Sequence, residues 1–77
     1  MKVFLIKNHY NDIRTYHKGY KGPFSYFKKD LDNLIKYYKI REKQYPGKVE
    51  EIKKDMKIEV YMADENTPLT KIAEYPV

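Results

Sequence analysis

Between His9 and Lys29 the chain interleaves rings with cations: Tyr10, Tyr16, Tyr20, Phe24, Tyr26 and Phe27 alternate with Arg14, Lys18, Lys21, Lys28 and Lys29. Flat rings stack on unpaired bases while cations follow the phosphates, so this mixture suits single-stranded nucleic acid. A plainer reading competes with it, in which Phe24 and Phe27 belong to a core and the tyrosines half-bury a ring with the hydroxyl in water.

Catalytic chemistry has less to work with. His9 and His17 with Asp12 are the types of an acid–base pair or a metal site, but their spacing matches no recognised ligand pattern. His9, Arg14, His17 and Tyr20 are also the types that small basic ribonuclease toxins use, here only as a loose cluster. The sole serine, Ser25, reads better as a helix cap than as a nucleophile. No phosphate-binding loop, zinc motif or dinucleotide fingerprint occurs, so we expect no enzyme, no cofactor and no metal. Lys18-Gly19-Tyr20 resembles the opening of the RNP1 signature of RNA-recognition domains. It departs at once, because Lys21, Gly22 and Pro23 follow, and proline cannot donate to a strand ladder.

Charge sets the wider frame. The net charge of +5 comes from 14 Lys and 2 Arg against 11 acids, accompanied by nine Tyr. An excess of cations favours a polyanionic partner through counterion release. The same residue types are those that A/T-rich codons encode, which accounts for the composition without selection for binding. Scarce arginine weighs against specific base reading, which uses the guanidinium fork.

Cysteine is absent, which leaves no disulfide or thiolate staple. Val3 to Ile6 is an apolar run of four, shorter than the roughly 7–15 residues of a signal-peptide core. No run approaches the ~20 residues of a membrane span. We therefore expect an intracellular, cytoplasmic protein without a membrane partner, in the host cytoplasm if phage-encoded. A single domain over residues 1–77 buries only about 60% of its unfolded surface, so its core is compact or shared.

The elements that must position these residues follow from periodicity. From Ser25 to Tyr45, at about 100° per residue, Phe27, Leu31, Leu34, Ile35, Tyr38 and Tyr45 fall on one arc, extended by Phe24. Lys28, Lys29, Lys36, Lys39 and Lys43 lie roughly opposite, and Tyr26, Tyr37 and Ile40 fall between. Ser25 is the expected N-cap and Pro46-Gly47 the stop, with Asp30 and Asp32 towards the positive end and Arg41 and Lys43 near the negative end.

Val3 to Ile6 suits a central strand apolar on both faces, followed by a turn over Asn8 to Asp12 and a returning strand over Ile13 to Lys18. Lys48 to Met56 carries Val49, Ile52 and Met56 at helical spacing, with Glu50 placed to pair with Lys54. Lys57 to Ala63 alternates as a half-buried strand with Ile58, Val60 and Met62 inward. Leu69 to Tyr75 reads as a returning strand, or as a helix capped by Thr67-Pro68.

These elements assemble into an α+β domain: a small, mostly antiparallel sheet of three to four strands, one long helix over about 25–45 packed across it, and a short second helix over about 48–56. The apolar second face of the first strand asks for a cover, which a homodimer would supply. The expected contact residues are Arg14, Tyr16, Lys18, Tyr20, Lys21, Tyr26, Lys28, Lys36, Tyr37, Lys39, Ile40 and Lys43. Their expected partner is nucleic acid or a nucleic-acid-loaded complex, bound by occupancy without catalysis. The alternative is a host protein, because size, lack of cysteine and lack of a catalytic set are similar to the small inhibitors that phages and mobile elements encode, including anti-CRISPR-like anti-defence proteins.

Overall fold

Val3-Phe4-Leu5-Ile6 forms the central strand that its two apolar faces predict. In the computed structural model, which describes residues 1–77, the elements run β1 (Val3–Lys7), β2 (Ile13–Tyr16), α1 (Lys21–Ile40), α2 (Lys48–Asp55), β3 (Ile58–Ala63) and β4 (Thr70–Tyr75). The four strands make one antiparallel sheet in the order β2-β1-β3-β4. This is the expected α+β architecture.

Register follows from the period of two. Phe4 opposes Tyr16 and Met62, and Ile6 opposes Arg14 and Val60, so these residues share the face that the helices cover. Ile6, Leu31, Ile58 and Val60 are fully buried there, and Ile52 of α2 joins them. Phe24, Phe27, Leu34, Ile35 and Tyr38 pack around this cluster, which is the predicted apolar arc of α1. On the second face, Val3, Leu5, Tyr61 and Ala63 are half-buried, and no element of the chain covers them.

The long helix is shifted towards the N-terminus by four to five residues relative to expectation. Phe24 N donates to Tyr20 O at 2.8 Å, so Tyr20 is the cap and Lys21, Gly22 and Pro23 form the first turn. The amides of a first turn have no intrahelical partner, so the missing N–H of Pro23 costs nothing there. Ser25 is consequently exposed inside the helix and caps nothing. Asp30 and Asp32 fall mid-helix, and the first turn holds no acid.

At the other end α1 stops at Ile40, where Arg41 N donates back to Tyr38 O at 3.1 Å. Gln44 N and Tyr45 N then both reach Arg41 O, closing a turn ahead of Pro46. Lys43 and Tyr45 thus leave the helical arc, although Tyr45 still meets the edge of the Tyr38 ring at 5.3 Å. Gly47 supplies the left-handed backbone, with φ 79°, that starts α2. Within α2, Lys48 pairs with Glu51 at 3.7 Å, and the expected Glu50–Lys54 pair does not form.

β2 ends at Tyr16, two residues short of expectation, leaving His17 and Lys18 in the bend before α1. Leu69 to Tyr75 is resolved in favour of a strand. Thr67 closes a turn with Asp64 through mutual backbone bonds of 3.1 and 3.3 Å, so it caps no helix. β4 pairs with β3 across a bulge at Val60/Tyr61, which leaves Ile72 unpaired and exposed. Beside it, Lys71 bridges Glu74 at 2.9 Å and Glu59 at 3.3 Å. No helix is long and apolar enough to cross a membrane.

Candidate nucleic-acid interface

The start of α1 and the start of β1 meet at one pole of the molecule. Phe4 lies 5.3 Å from Tyr20, and Tyr20 lies 6.0 Å from Phe24, a chain of tilted rings at the margin of the core. Outside it lies an open hollow of about 520 Å³, lined by Phe4, Lys18, Gly19, Tyr20, Lys21, Gly22 and Pro23. Gly19, with φ 134°, bends the chain from β2 into the helix and so brings Lys18 beside Lys21. No side chain caps the first turn. The hollow therefore combines an aromatic floor, two cations and the positive end of a helix, which together suit a phosphate with an adjoining ring.

The other contact residues spread widely. Arg14 is exposed on edge strand β2, whereas Tyr16 next to it packs against the core opposite Phe4. Lys28 is half-buried, its ammonium 5.4 Å from the centre of the Phe24 ring and 5.0 Å from that of Tyr75. It is engaged within the fold. Lys36 is exposed on the outer face of α1, and Lys39 lines a groove against α2 with Ile35, Val49 and Lys53. Lys43 stands in the turn beyond. The structure thus brings Lys18, Tyr20 and Lys21 together, and it separates them from Lys36, Lys39 and Lys43.

Tyr26, Tyr37 and Ile40 are 70%, 47% and 74% exposed and form a strip along one side of α1. Arg41 stacks on Tyr37 with its guanidinium carbon 3.7 Å from the ring centre.

His9 lies far from His17 in environment. It is only 3% exposed, and its Nε2 is 2.7 Å from Oδ2 of Asp30, while His17 is exposed beyond β2. No group of three His, Asp or Glu side chains is placed to hold a metal. The His9–Asp30 contact was not foreseen from residue order. The spacing of Tyr26, Asp30, Asn33 and Tyr37, by four, three and four, places Asp30 on one helical stripe with them, but carries no signal for His9 as its partner.

Four ionisable groups are displaced from their ordinary values. Hydrogen bonds to Glu74 and then Glu59 hold Lys71 above its usual range, and the bond from Lys71 holds Glu74 below its own. The Tyr75 hydroxyl donates to Asp32, which raises it. The Asn66 amide, bonded to Asp64 Oδ1 at 2.9 Å, lowers Asp64. All four lie outside the hollow around Tyr20.

Compared with known proteins, the chain matches no family model, no curated sequence and no solved structure.

Proposed function

We propose that the protein is a non-enzymatic binding module that docks the pole around Tyr20 on single-stranded nucleic acid, or on a complex that carries it. The observation that supports this reading is the composition of the hollow: the Phe4 and Tyr20 rings form its floor, Lys18 and Lys21 its rim, and the uncapped first turn of α1 one wall. A base stacks on the rings while its phosphate meets the two ammonium groups and the first-turn amides. Arg14, Lys36, Lys39 and Lys43 contribute longer-range attraction, consistent with the net charge of +5.

Fluorescence anisotropy of a labelled single-stranded oligonucleotide, titrated at several salt concentrations, tests it. Loss of both rim cations in Lys18→Glu/Lys21→Glu should flatten the salt slope by about 1.4, at ~0.7 per phosphate contact on a single strand. Absence of affinity at low salt would sink the reading, because the phosphate contribution is largest there.

The second reading, an inhibitor acting on a host protein, draws support from the exposed strip of Tyr26, Tyr37 and Ile40. Exposed rings beside an aliphatic side chain on a rigid helix are what protein contact surfaces use. Under that reading Tyr37→Ala and Ile40→Ala abolish capture of a host protein, and Lys18→Glu/Lys21→Glu does not.

A further inference from the structure

A second hollow, of about 380 Å³, opens where the β1–β2 turn meets the middle of α1. Its wall is Tyr10, Asp30, Asn33, Leu34, Tyr37 and Tyr38. In a chain with five more cations than acids, this lining contains a carboxylate and no lysine or arginine. Tyr10, Tyr37 and Tyr38 line the hollow together with that carboxylate. We propose that this hollow receives an arginine or lysine side chain of a protein partner.

The chemistry is that of an aromatic cage. A guanidinium or ammonium is attracted to the negative face of a ring, most strongly where water is partly excluded, and a carboxylate beside the rings fixes its position. The fold already uses two of these rings in this way. Arg41 stacks on Tyr37 from one helical turn beyond, and the Lys48 ammonium lies 5.6 Å from the centre of Tyr38. The hollow's lining includes Asn33 and Asp30, one and two turns before Tyr37, and neither Arg41 nor Lys48.

Asp30 is held ready for such a ligand. His9 anchors Oδ2, no lysine or arginine forms an ion pair with the carboxylate, and Oδ1 has no side-chain donor. Lys29 lines the neighbouring hollow with Tyr26, Asp30 and Asn33, so the partner's cation approaches from the Tyr10 side. The Tyr10 ring lies tilted against buried His9 with ring centres 4.2 Å apart, so one wall of the cage adjoins the residue that holds Asp30.

The occupant is a protein segment and not a free organic cation because the exposed apolar surface extends past the cage on both sides. Tyr26 and Ile40 stand at the ends of the same strip, about 21 Å apart at 1.5 Å per helical residue. A small ion covers neither, whereas an extended or helical segment with a central cation covers both. The proposal does not depend on the nucleic-acid reading, since it uses none of the residues lining the hollow around Tyr20.

The test is a titration of the isotopically labelled protein, followed by nuclear magnetic resonance, with a blocked glycine-arginine-glycine peptide and its neutral citrulline counterpart. The arginine peptide should shift signals of Tyr10, Asn33 and Tyr37 with a Kd on the order of 1 mM, and the citrulline peptide should bind at least roughly fivefold more weakly. Asp30→Asn, which keeps an oxygen for His9, should weaken the arginine peptide roughly fivefold. If that variant does not fold, Tyr37→Leu serves instead and should abolish the shifts. Equal binding of the two peptides, or shifts elsewhere on the surface, overturns the proposal. So does tetramethylammonium binding as tightly as the peptide, or a single-stranded oligonucleotide displacing it from the same residues.

Discussion

His9 and Asp30 are joined by a hydrogen bond of 2.7 Å, with the imidazole withdrawn from solvent and the carboxylate half-exposed. The bond ties the turn between β1 and β2 to the middle of α1. It is the one side-chain hydrogen bond that links the hairpin to the helix layer, and it brings Tyr10 against the side of α1. Replacing His9 by Ala removes a buried ring and this bond together. The expected loss is about 2–3 kcal/mol in urea unfolding, with the signals of Tyr10 and Asn33 displaced. A loss under about 0.5 kcal/mol would show that the turn holds its place without the His9–Asp30 bond.

Asn8 organises the same turn from within. Its Oδ1 accepts from Tyr10 N at 2.9 Å and from Asp12 N at 3.1 Å, and Asn11 adopts a φ of 66°. Asn8→Ala should therefore cost about 1–2 kcal/mol, because two amides lose their acceptor, while Asn8→Asp retains most of the stability. Asn11→Gly should be neutral or mildly stabilising and Asn11→Val destabilising, as a β-branched residue resists left-handed backbone. Thermal melts of the four variants decide this.

Core and strip separate energetically. Leu31 is fully buried beneath the helix, so Leu31→Ala should cost about 3–4 kcal/mol. Tyr26→Ala and Ile40→Ala, both on the exposed strip, should each change stability by less than about 0.5 kcal/mol. Chemical denaturation of the three variants checks it, and similar losses throughout would mean that the strip belongs to the fold's packing.

Alkaline and acid limbs of the stability profile have separate origins. Lys71 and Tyr75 are raised above ordinary values of 10.5 and 10.0, so each adds stability that is full below that value and lost as pH rises through the folded one. Glu74 is lowered from 4.5, so its contribution is present above that value and lost as pH falls through the folded one. Tyr75→Phe should therefore flatten the decline beginning near pH 10.0 and leave the acid limb in place. Lys71→Met should flatten both limbs, since it removes the bond that lowers Glu74. Urea midpoints measured across the pH range for both variants test these signs.

Most of the architecture was legible because the buried face of each element is periodic. Ile58, Val60 and Met62 alternate and Leu31, Leu34 and Tyr38 recur at helical spacing, and all of these but Met62, which lies opposite Phe4, join the cluster around Ile6. The ends of α1 were less so. Pro23 looks like a barrier to a helix until it falls in the first turn, where its missing amide is not needed. Ser25 has the chemistry of a cap and lies one turn too late to act as one. The site residues divide along the same line. Lys18 and Lys21 come together because Gly19 bends the chain between them, a backbone event that composition does not encode. Lys28 carries a charge by type but spends it on Phe24 and Tyr75. His9 looked like a member of an aromatic and basic run, and only its pairing with Asp30, twenty-one positions away, removes it from solvent.

The bulge between β3 and β4 gives the two borders of the sheet unequal capacity for growth. At β4, exposed Ile72 interrupts the ladder and the Lys71–Glu59–Glu74 cluster adds charge, so an incoming strand finds no regular template. At β2, the four residues Ile13–Tyr16 present an unbroken border. A sheet with one receptive border can meet only the same border of a second copy. Any strand-to-strand association of this chain is then two-fold and closes on itself, so a ribbon or fibre has no second end from which to propagate.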